Sequence, residues 1–476
     1  MEDKTPLDDR PHARPTLLQS LTPLLAIALF LGVGYGVFRL RAEILLIAAA
    51  VVAALIARRL GYSYKEIEEG IIASMMKGMP AMLIVIVVGA LIGSWIACGT
   101  IPLLITWGLE LISAKYFLVT ACVVCSVVSL VTGTSYGTAG TIGVAFVGIA
   151  VGLGVPLDQA AGAIVAGAYF GDKLSPFSDT TNLAPIAAGS NLFDHIRHML
   201  WTTTPAWLLG LGVYFVLGLR SSGGAGADLS ATAGIVHALR GGFAFHWVLL
   251  LPPLVTFYAA VRKRPVIPGM LVSSGIAAVL AVAIQHMTVQ KAVESMVTGF
   301  VSHTGQATVD TLLTRGGMLS MMDVTLIAFC AFAFGGVVQH TGMLDVLLEH
   351  LLRVADTTGR IIASTVAATI SVALLTGSSF LSILIPGELF APAYRARGLA
   401  AKNLSRTTED SGTVVVPLIP WSIAGVFMAG TLGVDTVAYA PWAVMCYTGF
   451  LFALLYGFTG FAIAPKVRDD ETVAGS

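Results

Sequence analysis

Residues 171–185 read Gly-Asp-Lys-Leu-Ser-Pro-Phe-Ser-Asp-Thr-Thr-Asn-Leu-Ala-Pro. They bring two carboxylates (Asp172, Asp179) and an ammonium (Lys173) together with the polar side chains of Ser175, Thr180, Thr181 and Asn182. A second polar group, Glu409, Asp410, Ser411 and Thr413, runs into Pro417 and Pro420. Two hydroxyl-rich turns complete the set: Thr132, Thr134 and Ser135 around Gly133, and Thr376, Ser378 and Ser379 around Gly377. Proline breaks a helix, and each break frees backbone carbonyls. Carboxylates, hydroxyls and such carbonyls are hard oxygen donors, suited to a hard cation such as Na+. Helix N-termini rich in Ser and Thr suit an anion instead.

Four acids (Asp172, Asp179, Glu409, Asp410) against Lys173 favour a cation, or exchange of a cation for protons. A carboxylate out of water holds a proton more tightly. One such group can take a proton or a metal ion in turn, and that alternation gives antiport. Na+ is therefore expected at Asp172, Asp179 and Asp410, with the remaining polar residues around it. Plainer roles exist for the same residues. Lys173 can form a structural pair with Asp172 or Asp179, Glu409 and Asp410 can sit solvated at a mouth, and the hydroxyls can satisfy freed backbone groups.

The elements that hold these residues must be hydrophobic. The 476-residue chain is 56% hydrophobic and only 11% charged, with a mean hydropathy of +0.85. Soluble proteins average roughly 25% charged residues, so the composition is that of a membrane protein. Formal net charge is zero, which argues against a nucleic-acid partner. A charged side chain at a bilayer centre costs about 2.5–3.5 kcal/mol on insertion scales, and broken backbone survives there only where buried in protein or lining a cavity. Apolar runs of spanning or near-spanning length occur at 17–38, 42–57, 79–97, 200–219, 244–261, 266–285, 318–338 and 440–464. Two regions between them, 116–185 and 361–431, have apolar halves too short or interrupted for plain spans. No small-residue cleavage site follows the first run, so no removable signal peptide is expected.

The two regions repeat. Gly93 and Gly99 match Gly336 and Gly342 at a shift of 243, and Thr132–Tyr136 matches Thr376–Phe380 at a shift of 244. Each half reads as span, hydroxyl turn, broken polar helix, span, and Asp410 can correspond to Asp172 or Asp179. Arg58, Arg59 and Lys65, then Arg262, Lys263 and Arg264, are placed inside by the positive-inside rule. The extra span at 266–285 then turns the second half over. The expected fold is an all-α polytopic membrane protein with about ten crossings, two re-entrant hairpins and two inverted-topology repeats with broken helices. The chain divides into tails at 1–16 and 466–476, transmembrane halves at 17–219 and 244–465, and a linker at 220–243 containing a small-residue connector at 221–227.

Other residues rank lower. Asp323 either faces the cavity or ends a span. Glu110 lies on a lateral amphipathic helix or a tilted span. His195 and His198, beside Arg197, are read as interfacial. Gly89 and Gly93 report close helix packing. Cys122 and Cys125 read as small apolar residues on one helix face.

Residues 171–185 resemble the NhaC-type Na+/H+ antiporter family of the ion transporter superfamily. Arg197–Leu200 with Thr203 and Pro205, Gly316–Met318 with Ser320–Met322, and Glu409–Thr413 with Pro417–Trp421 extend the resemblance over about 17–464. It implies Na+/H+ exchange, or in some members malate–lactate exchange coupled to H+ and Na+. It also implies an elevator-like transport domain on a scaffold and a homodimer. Site roles follow for Asp172, Ser175, Asp179, Thr180, Thr181, Asn182, Asp410, Ser411 and Thr413. Many members carry Asn where this chain has Ser422, which bears on ion or substrate preference. The expectation is a multi-pass protein of a bacterial inner membrane, both termini cytoplasmic, with Na+ and H+ as cargo, the lipid bilayer as surroundings and no cofactor. A membrane-embedded enzyme is the rival class, and a repeat suited to alternating access argues against it.

Overall fold

The computed structural model describes residues 12–221, 229–262 and 264–465. The two expected tails, the 221–227 connector and Lys263 lie wholly or largely outside them. Among the described residues the backbone is helical almost throughout, with two isolated β-bridges and no strand. Helices suit hydrocarbon because every N–H and C=O is satisfied within the segment. Eight are long and apolar enough to cross a membrane, or up to eleven when each of three bent pairs counts as one span. Three of the eight, Ala114–Thr132, Ser135–Leu153 and Thr358–Thr376, flank the turns expected as re-entrant tips and were not among the ten expected crossings.

Several expected runs are parts of longer helices. The 79–97 run is the end of Tyr64–Ala97, a helix of 34 residues. Its start is a capping box: Ser63 Oγ accepts from the Glu66 N–H at 3.3 Å, and Glu66 accepts from the Ser63 N–H at 2.6 Å. Its first turns carry Glu66, Glu68 and Glu69, so hydropathy alone hides them. The 200–219 run likewise belongs to Leu192–Ser221. The linker expected at 220–243 holds a helix, Leu229–Gly242, and the chain bends by 101° before Trp247. Thr100–Leu111 turns off at left-handed Gly99 and packs on Val144–Leu153. Its Glu110 pairs with Arg240 of the linker helix.

The segments expected as hairpin arms are longer than their sequence suggests. Ala114–Thr132, Ser135–Leu153 and Thr358–Thr376 each have 19 residues. A π-helical segment, Ala139–Gly143, carries the helix through the glycines after the first tip. Both tips turn on a left-handed glycine, Gly133 (φ 70°) and Gly377 (φ 62°). Thr134 and Ser378 then cap the return arms, accepting from the N–H groups of Gly137 and Leu381. The offset of 244 between the tips also relates the starts of Leu157–Leu174 and Ala401–Gly412, and of Asp179–Ala188 and Ile423–Leu432.

The hydrophobic cores do not follow the chain halves. One unites Val85–Tyr169 side chains with Val414–Cys446, and the other unites Ile27–Ile67 with Cys330–Leu404. Gly89 and Gly93 do mark close packing, Gly93 against the helix Val289–Val297 and Gly89 against the Gly316–Gly317 turn. The Gly317 N–H donates to the Gly89 carbonyl at 2.7 Å, and a Cβ on Gly93 would lie 2.0 Å from the Ser295 carbonyl oxygen.

Candidate functional site

The first broken helix owes its position to small residues. A Cβ on Gly167 would lie 2.3 Å from the Cys122 carbonyl oxygen, and one on Gly171 2.2 Å from that of Ser126. Leu157–Leu174 thus lies backbone-close against Phe117–Thr132, where Cys122 and Cys125 are buried free thiols. The helix stops before Pro176, which has no N–H to continue it. Two side chains staple the break. Thr181 Oγ1 lies 3.1 and 3.0 Å from the carbonyl oxygens of Asp172 and Lys173, and Asn182 Nδ2 donates to those of Pro176 and Ser178. Phe177 packs at the Gly133 tip, where an added Cβ would lie 2.7 Å from its backbone.

Asp172 and Lys173 therefore point inward from a fixed helix end. Asp172 is buried and accepts from Ser135 Oγ of the first tip at 2.8 Å. Lys173 is fully buried and forms an ion pair with Asp410, also fully buried. Asp410 Oδ1 accepts a further hydrogen bond from Thr202 Oγ1 at 3.0 Å, while Oδ2 has no protein partner. Beside it, Glu409 Oε1 accepts from Thr413 Oγ1 at 2.9 Å, and Oε2 is likewise unpartnered. A buried carboxylate oxygen with no donor is costly, and it is the acceptor a cation needs. The structure thus joins Ser135 to Asp172, and Lys173 and Thr202 to Asp410, with Glu409 and Thr413 adjoining the second group.

The remaining expected residues are spent differently. Asp179 starts its helix at an exposed position. Ser175 accepts from the Phe177 N–H, and the Thr180 and Ser178 hydroxyls lie 3.2 Å apart. Ser411 and Thr376 donate to carbonyls one turn back, those of Thr407 and Val372. Thr134 and Ser378 are helix caps, Ser379 is half-buried, and Thr132 Oγ1 is buried without a partner. Among the described residues, no three His, Cys, Asp or Glu side chains converge on a metal-sized site. At the offset of 244, Asp410 falls opposite Ala166 rather than Asp172 or Asp179. The acidic groups come from unlike levels of the two broken helices.

Ser422 closes the second break. Its hydroxyl lies 2.6 and 2.9 Å from the carbonyl oxygens of Val416 and Ile419 and accepts from the Gly425 N–H. The histidines read as interfacial are buried: His195 Nδ1 lies 2.9 Å from Ser405 Oγ, and His198 Nε2 donates to Asn403 Oδ1. They lock Leu192–Ser221 onto Ala401–Gly412, which brings Thr202 to Asp410. Thr202 was not a sequence candidate; its neighbours Thr203 and Pro205 were the available signal. Asp323 is 80% exposed and pairs with Arg41, so it ends a span.

A family model described as the Na+/H+ antiporter family matches residues 167–461, which include both breaks. An uncharacterized Na(+)/H(+) antiporter of Haemophilus influenzae is 45% identical, over 94% of this chain and 97% of its own. The Na(+)/H(+) antiporter NhaC of Alkalihalophilus pseudofirmus is 38% identical over 90% and 93%. A malate-2H(+)/Na(+)-lactate antiporter of Bacillus subtilis is 34% identical over 94% and 95%. The chain belongs to the Na+/H+ antiporter family.

Proposed function

We propose that this chain exchanges Na+ for H+ across the membrane by alternating access, and that Na+ and the Lys173 ammonium compete for Asp410. The observation that carries this reading is the fully buried Lys173–Asp410 pair beside two unpartnered carboxylate oxygens. Breaking a buried pair by removing one partner costs about 3–5 kcal/mol. The ammonium leaves Asp410 only when another cation replaces it. Na+ entering at Asp410 and Glu409 supplies that charge. Lys173 then gives its proton to water on the open side, as –NH3+ becomes –NH2 plus H+. On the opposite side a proton returns to the amine, the pair re-forms and Na+ departs.

In this reading Asp172, held by Ser135, ties the hairpin tip to the ion site, and Asp179 draws cations to its mouth. The two broken helices and their tips form a transport domain moving elevator-like on a scaffold. The assembly is a homodimer in a bacterial inner membrane, both termini cytoplasmic, with halves at 17–219 and 244–465 in inverted orientation. The Arg-rich stretch 353–406, against Lys115 alone in the matching first-half stretch, supports that inversion.

A second reading, a carboxylate exchanger, draws on the relative named for malate and lactate. Lys173 is the natural anion anchor for it, yet its charge is already met by Asp410. The deciding experiment is ΔpH dissipation in inverted vesicles from a host lacking its own sodium antiporters. Na+, Li+ and K+ are added in turn, then malate and lactate in opposed gradients. Recovery with Na+ alone is expected. A response only to the opposed acids would replace the first reading with the second.

A further inference from the structure

A cavity of about 300 Å³ lies beside the first hairpin tip, outside the Lys173–Asp410 cluster. One wall is the tip and its return arm, through Thr132, Thr134, Thr138 and Thr141. Leu251–Val261 contributes Leu254 and Phe257, and Val266–Ala283 contributes Met270. Trp95 lines it as well, its indole N–H donating to Ser273 Oγ at 3.0 Å. Thr132 Oγ1 is buried there without a partner, and the other three threonines add little polarity. Thr138 and Thr141 donate to the carbonyls of Thr134 and Gly137, and Thr134 Oγ1 accepts from the Gly137 N–H. Leu254 and Phe257 are 58% and 43% exposed, so this wall also reaches the outer, lipid-facing surface.

The cavity has one charged group, Arg264, and among the described residues no carboxylate pairs with it. Arg262, two residues earlier, lies over the Tyr258 ring at 5.7 Å, so two guanidinium groups follow the Leu251–Val261 helix closely. An apolar space opening to the bilayer suits a hydrocarbon chain. A free guanidinium at its edge suits a phosphate, which it can bind by two parallel hydrogen bonds. Basic pockets between membrane helices take anionic headgroups in this way.

We propose that this cavity holds one acyl chain of an anionic phospholipid, with the lipid phosphate on Arg264. A zwitterionic lipid brings a cation beside the guanidinium and binds less well. The chain rests on the arm that follows Ser135, the residue bonded to Asp172. Occupancy therefore steadies the tip at the ion site. The binding does not depend on which ion is transported; the effect on rate rests on the Na+/H+ reading.

The test uses the full chain reconstituted in phosphatidylcholine vesicles. They carry phosphatidylglycerol or phosphatidylcholine with brominated acyl chains, which quench an indole they touch. Subtracting the Trp95→Phe variant isolates the Trp95 signal. Trp95 quenching is expected to be about fivefold stronger with the anionic lipid, the ratio one surface arginine supplies. Arg264→Gln is expected to erase the preference, and Thr138→Phe, which fills the cavity, to erase the quenching. If Thr138→Phe does not fold by circular dichroism, Leu254→Phe on the outer wall replaces it. Equal quenching by both lipids, no quenching of Trp95, or a preference that survives Arg264→Gln overturns the proposal. Na+-driven ΔpH dissipation in the same vesicles is expected to rise with phosphatidylglycerol in the parent and not in Arg264→Gln. Failure of Na+ transport alone leaves the quenching result standing, so the two readings fail separately.

Discussion

The Lys173 ammonium meets Asp410 across 237 residues of chain, and both side chains are fully buried. Asp410→Asn or Lys173→Met leaves one buried charge without its counter-ion. Each single variant is expected to lose about 3–5 kcal/mol of stability. Lys173→Met combined with Asp410→Leu removes both charges and is expected to recover most of that loss, yet to transport nothing. Unfolding in detergent and Na+-driven ΔpH dissipation read the two effects. A double variant no more stable than the singles would show that the pair is not the coupled unit.

Thr202 donates to the same Asp410 oxygen that Lys173 holds. Thr202→Val keeps the shape and removes the donor. A hydrogen bond to a charged group contributes about 1.5–3 kcal/mol, so apparent Na+ affinity is expected to shift by roughly tenfold or more. Expression should stay unchanged. A Na+ dependence identical to the parent would remove Thr202 from the site.

Asp172 is buried and Asp179 exposed. Asp172→Asn is expected to abolish exchange, and Asp179→Asn to keep it, with a higher Na+ requirement at high ionic strength. Screening acts on exposed charges far more than on buried ones. Initial rates of ΔpH dissipation across a salt series separate the two. Loss of all exchange in Asp179→Asn would place that carboxylate in the coupling step.

Asp310 collects donors from the 302–305 loop. The Thr304 N–H, followed by the Ser302 hydroxyl, holds its carboxyl down from the usual 3.8 to about 2. A carboxyl lowered on folding favours the ordered loop above its ordinary pKa, and this contribution fades as pH falls toward the folded value. Hydrogen-exchange protection of residues 302–310 is expected to hold at pH 5 and above and to decline from about pH 4 to about pH 2. Asp310→Asn should give low protection at neutral pH. Unchanged protection at pH 2 would exclude Asp310 as the loop's anchor.

Gly93 leaves no room for a Cβ against the Ser295 carbonyl. Gly93→Ala is expected to cost about 1–3 kcal/mol through overpacking, seen as a lower unfolding temperature. Gly212→Ala, where nothing lies within 4 Å, serves as the neutral control.

Composition and apolar run length determined that this is a helical membrane protein, because hydrocarbon admits only segments that satisfy their own backbone. Local chemistry also located the first break and both tips: Pro176 ends one helix, and Gly133 and Gly377 supply left-handed turns that other residues resist. Charge hid the starts of Tyr64–Ala97 and Leu192–Ser221, where capping and tertiary contact outweigh hydropathy. The site itself was legible as a list and not as an arrangement. Asp172, Lys173 and Asp410 were named by residue type, but the choice of Asp410 over Asp172 or Asp179 as partner of Lys173 depends on which helices approach. That approach is decided by glycines packing at 167 and 171 and by His195 and His198 holding a third helix in place. The role of Thr202 and the exposure of Asp179 follow from the same packing. An isolated sequence position carries no record of either, because burial and pairing are properties of the neighbours that folding supplies.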